Sequence, residues 1–119
     1  MTQAVAAKPA AERAVAKLAE LSADLRACAL VGADGAVLAS TADAPWGERS
    51  AALWEAADAA RPDAGSVTQV QVEGEGGEVF AVRDGGVTAI AVTERFALAS
   101  LMLCDLRAAL RELREGETD

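Results

Sequence analysis

The chain has 119 residues, of which 52% are hydrophobic and only 3% aromatic, and its formal net charge is -8. That length fits one domain able to close a single core, built here from alanine and small aliphatic side chains. The acidic balance argues against binding nucleic acid or anionic membranes, which rests on basic patches, and it allows a partner with a basic surface.

There is no histidine and no tyrosine, which removes histidine triads, histidine metal sites and most acid–base schemes at neutral pH. The lysines, Lys8 and Lys17, follow no glycine-rich loop, so no phosphate-cradling loop is expected. No enzymatic activity, cofactor or metal is expected. Cys28 and Cys104 lie in apolar runs without a basic neighbour to lower a thiol pKa, so both read as core residues and reduced thiols. Lys8, Glu12, Arg13 and Lys17 interrupt the N-terminal region, no apolar run reaches membrane-span length, and the expected location is the cytoplasm.

In chain order, residues 1–8 lack a packing stripe and are expected to be disordered. Pro9 suits a first helical turn. Ala11, Ala14, Val15, Leu18, Ser22 and Leu25, with Leu21 beside them, recur at helical spacing, predicting an amphipathic helix from about Pro9 to Leu25. Ala27–Val31 is a continuous apolar strand, Asp34-Gly35 a hairpin turn, and Ala36–Ser40 the returning strand. Asp43 and Pro45 can open a helix that runs to Arg61, with Trp46, Ser50, Leu53, Trp54 and Ala57 on one face and Glu48, Arg49, Glu55 and Asp58 on the other. Ser66–Glu73 alternates and reads as an outer strand. Val79–Val82 and Val87–Val92 are continuous and apolar and read as inner strands.

Phe96–Cys104 is apolar almost all round, which predicts a helix buried on more than one side. Its continuation narrows to Leu106, Ala109, Leu110 and Leu113. The tail 115–119 is expected to be disordered, which leaves a domain over 9–114. Hairpins fix strand pairs one–two, three–four and four–five. With one, four and five inside, the order is 2-1-5-4-3: an α/β (α+β) three-layer arrangement with a five-stranded antiparallel sheet, one helix on one face and two on the other.

This order and spacing resembles the roadblock/dynein light chain family across about Pro9 to Leu113. The phrase Ala29–Ser40, the strand Val79–Val82, and Ala89–Val92 leading into the final helix carry the resemblance. It implies a roadblock/profilin-like fold and a homodimer or heterodimer in which third strands pair and middle helices lie side by side. It also implies a non-catalytic platform for a small Ras-like GTPase, or a scaffold or motor light chain; compact alanine-rich bacterial members are often associated with such a GTPase. The chain departs from the family pattern in having no aromatic in its first hairpin and a short middle helix.

On that basis Trp46, Leu53, Trp54, Val67, Gln69, Val70 and Gln71 are the expected homodimer interface, and Glu48, Arg49, Glu55 and Asp58 the expected partner-binding face. Core packing is the plainer reading for one tryptophan, while tryptophan is also enriched at interface anchors. Glu73, Glu75 and Glu78 read as a solvated hairpin tip, with a cation site or a patch for a basic partner as the functional alternative. The rival function is a small-ligand sensory module of profilin- or PAS-like type.

Overall fold

The computed structural model describes residues 2–118, and side chains over residues 8–116. The runs without polar alternation lie side by side in mid-sheet. β1 (Leu25–Val31) and β5 (Val87–Thr93) pair antiparallel, with Cys28 opposite Ala91 and Leu30 opposite Ala89. β4 (Gly77–Asp84) flanks β5 on the other side, while β2 (Val37–Ser40) and β3 (Gln69–Gly74) are the edges. The order is β2-β1-β5-β4-β3, as expected. In the first turn, the Asp34 carboxylate accepts the Ala36 N–H at 3.1 Å, and Gly35 takes φ 85°, a region closed to most side chains.

Side chains alternate across the sheet. Cys28, Leu30, Phe80, Val82, Ala89 and Ala91 pack under α1 (Thr2–Leu21) and α3 (Ala99–Thr118). Ala29, Val31, Ala81 and Ile90 pack under α2 (Trp46–Ala60). α1 and α3 approach closely: a β-carbon placed on Gly116 would come within 2.6 Å of Ala10.

Several boundaries differ from expectation. α1 begins at Thr2, so Pro9 lies inside the helix rather than opening it, and α3 continues to Thr118. Of the segments expected to be disordered, Met1 and Asp119 lie outside the described residues. α3 begins at Ala99, and Phe96, Leu98 and Leu101 are 83%, 65% and 54% exposed. The segment 96–104 is therefore not buried on several sides; within it only Ala97 and Met102 are fully buried, with Ala99 and Leu103 half-buried against the same core. Cys104 is exposed whereas Cys28 is buried, and burial pushes the Cys28 thiol up to about 11 against the opposing pull of Thr41. No helix among the described residues is long and apolar enough to cross a membrane.

Candidate functional site

The residues expected to mediate contacts lie on α2 and along β3. Trp46, Ser50 and Trp54 recur every fourth position, so they form one stripe, and all three face the sheet. Trp46 and Trp54 are 3% and 6% exposed. The Trp54 indole N–H donates to Thr88 Oγ1 at 2.9 Å, and the Trp46 indole N–H to the Ala42 carbonyl at 2.9 Å. Both tryptophans are therefore core residues of this chain, not surface anchors. Among the small side chains Ala29, Val31 and Ala81, and beside Ile90, they fill the space beneath the single covering helix. Asp43 makes no cap; Pro45 occupies the N-cap position, with no side-chain hydrogen bond.

The other end of α2 is held by Arg83, a residue the sequence pattern did not single out. Its Nη2 donates to Asp58 Oδ1 at 2.8 Å and Oδ2 at 2.9 Å, and to Ser66 Oγ at 3.0 Å. Its Nε donates to the Val67 carbonyl at 2.6 Å, and its guanidinium carbon lies 4.3 Å from the Trp54 ring centroid. Asp58 Oδ1 also accepts the Val67 N–H at 3.0 Å. That N–H first, and the Arg83 guanidinium second, hold the Asp58 carboxyl below its ordinary value. Asp58 thus ties α2 to the start of β3 and is not a free docking charge. The available signal was an arginine next to the apolar run Val79–Val82 of an inner strand, where a half-buried guanidinium calls for a charged partner.

Glu48, Arg49 and Glu55 are exposed, as a docking face requires. Between them Ala51, Ala52 and Ala56 are also exposed, leaving room for a close neighbour. Along β3, Val70 is half-buried with Leu53 and Val67 against the α2-side cluster, while Gln69 and Gln71 are exposed on the opposite face of the strand. Val67 lies before the strand, which starts at Gln69. β3 is the last strand of the sheet beyond β4, and it contains neither proline nor lysine, the usual blocks to strand addition.

A groove of about 880 Å³ lies between α2 and the β1–β2 turn, bordered by Asp34, Trp46, Glu48, Glu55 and Arg83. The helix approaches the turn so closely that a β-carbon on Gly47 would sit 2.2 Å from the Gly35 carbonyl oxygen.

This arrangement is the fold of roadblock/LC7 and MglB proteins. The chain is similar to a gliding protein, MglB, from Thermus thermophilus, with a TM-score of 0.77 at 15% identity over 94% of this chain and 91% of that one. It is similar to a roadblock/LC7 domain from Streptomyces avermitilis, with a TM-score of 0.72 at 20% identity over 91% and 98%. Acanthamoeba castellanii profilin IB aligns at a TM-score of 0.61 and 18% identity, over 89% and 98%. No family model and no curated protein matches the sequence.

Proposed function

We propose that this chain is a non-catalytic dimeric platform that binds a small Ras-like GTPase. The observation that carries the reading is the open β3 edge beside an α2 whose outer face is polar at Glu48, Arg49 and Glu55 and small between them. Strand addition along β3 would extend the sheet into a second copy and set the two α2 helices next to each other. The roadblock and MglB likeness supports this arrangement, and one MglB neighbour is described as having a tetrameric arrangement. A face of mixed sign suits selective docking more than general attraction.

Native mass and titration test the reading together. The wild type should be a dimer, and Val70→Pro, which removes a ladder donor and bends the strand, should be monomeric. Reversing the charges at Glu48, Arg49 and Glu55 should weaken GTPase binding while the dimer persists, because exposed substitutions change stability by only about 0.5 kcal/mol each. A dimeric Val70→Pro variant would exclude the β3 seam, and unchanged GTPase affinity would exclude the α2 face. The groove beside Gly47 favours the rival small-ligand reading, which a monomer carrying a bound small molecule would support.

A further inference from the structure

At one end of the sheet, the β3–β4 turn, the start of β1 and the β5–α3 connection meet. The Glu94 N–H donates to the Asp24 carbonyl at 2.9 Å, and Arg26 joins the Gly76 carbonyl to the Glu94 carboxylate. Beside this clasp is a recess of about 370 Å³ bordered by Glu73, Glu75, Glu78, Arg95 and Phe96. Glu73 and Glu78 are direct cross-strand partners, so their side chains share one face, an arrangement of like charges that destabilises a strand pair. Glu78 is 6% exposed, and among the described residues its Oε2 has no hydrogen-bond partner. Arg26 is engaged in the clasp, and Arg95, on the rim of the recess, lies over the Phe96 ring at 4.7 Å.

Phe96 adds an independent sign. It is 83% exposed and has φ 65°, the only positive value for a non-glycine among the described residues. Such strain in a bulky residue needs a reason, and ligand clamps are a common one. Leu98 and Leu101, also exposed, follow it onto the first turn of α3.

We propose that this recess is a second docking site, whose occupant is an arginine or lysine side chain, flanked by an apolar residue, on a peptide segment of a partner protein. The cation would meet the Glu73–Glu78 pair and satisfy the buried carboxylate, Phe96 would form an aromatic wall against its stem, and Leu98 would take the apolar neighbour. No group of three or more acidic, cysteine or histidine side chains among the described residues is arranged to hold a metal ion, so a side-chain cation fits the geometry better than a bare one. The site is independent of the GTPase reading and of α2.

The probe is a short synthetic peptide alternating arginine and leucine, compared with its citrulline counterpart, which keeps the shape and loses the charge. The charged peptide should bind saturably and shift amide resonances over 73–78 and 93–98, and the citrulline peptide should not. Glu78→Gln should weaken binding by about tenfold or more, as expected when one member of a buried charge pair is neutralised. Phe96→Gly, which relieves the backbone strain and so should fold, should weaken it too. Glu12→Gln, on α1 away from the recess, should bind like the wild type. Absent or non-saturable binding, equal affinity for the citrulline peptide, an unaffected Glu78→Gln variant or an equal loss in Glu12→Gln would each overturn the proposal.

Discussion

The two faces of the sheet are built on different principles. On one, α1 and α3 lie together and their apolar stripes interlock over Phe80, Leu30 and Cys28, with Leu106 and Leu113 fully covered. On the other, α2 lies alone, and the buried set is Ala29, Val31, Ala81 and Ile90 beneath Trp46 and Trp54. The first face gains its stability from many small contacts spread over two helices. The second depends on a few attachments: two tryptophans with hydrogen-bonded indoles, one close approach at Gly47, and the Arg83 network. Loss of any one should therefore change how α2 sits without unfolding the domain. A face held this way can adjust to a partner, whereas the two-helix face is a fixed base.

The largest effect should come from breaking the base. Phe80 is fully buried at the centre of the α1/α3 side, so Phe80→Ala should cost about 3–5 kcal/mol through lost burial and the cavity left behind. Urea denaturation would measure it. A loss confined to α2-side signals, with global stability intact, would show that the two faces are not unequal in this way.

A smaller and more local effect is expected at Gly47. Alanine is normally the better helix residue by about 1 kcal/mol. Here its β-carbon would meet the Gly35 carbonyl oxygen at 2.2 Å, and backbone cannot swing aside as a flexible side chain would. Overpacking should win, with a net loss of about 1–3 kcal/mol. Displacement of the helix start should expose Trp46 and red-shift the tryptophan emission. An unshifted, stabilised variant would show that the turn yields freely.

The unequal faces also explain what could be read from residues alone. Strand order was legible because burial on both faces writes a continuous apolar run, as in Val87–Val92, whereas the edge strand β3 alternates and only its Val70 is half-buried. Helix surroundings were less legible. The run Phe96–Cys104 is apolar enough for a core helix, yet its first residues form a connection, and nothing in composition says that Phe96 faces solvent. The tryptophans fit either a core or an interface, and the choice depends on how much room one helix leaves beneath it. Asp58 looked like its neighbours Glu48 and Glu55 because its partner, Arg83, is distant in sequence and reaches it only after β4 pairs with β3. Glu78 was grouped with a solvated tip because strand register, which turns it inward opposite Glu73, is not visible in a charge count.

The smallest effect concerns the Asp58–Arg83 attachment, and pH should reveal it. Asp58 is held below its ordinary value by the Val67 N–H and by Arg83. A carboxylate with a depressed folded pKa contributes stability that is fully present above its unfolded value, about 4, and is lost as pH falls through the folded value. Acidification below about pH 4 should therefore loosen the α2–β3 junction. The Arg26–Glu94 pair at the far clasp, where hydrogen bonding to Arg26 lowers Glu94, loses its contribution in the same window. Asp58→Asn separates the two. The amide can still accept the Val67 N–H but loses the charge that faces Arg83, so the variant should already be looser at neutral pH and change less on acidification. Because the pair is partly exposed, solvent screening keeps the global cost small, and the local readout matters more. Amide exchange at Val67 should quicken in Asp58→Asn while Ala89–Ala91 in β5 stay protected. Equal protection at Val67 in both proteins would mean that the tryptophans and the Gly47 approach hold α2 in place without this pair.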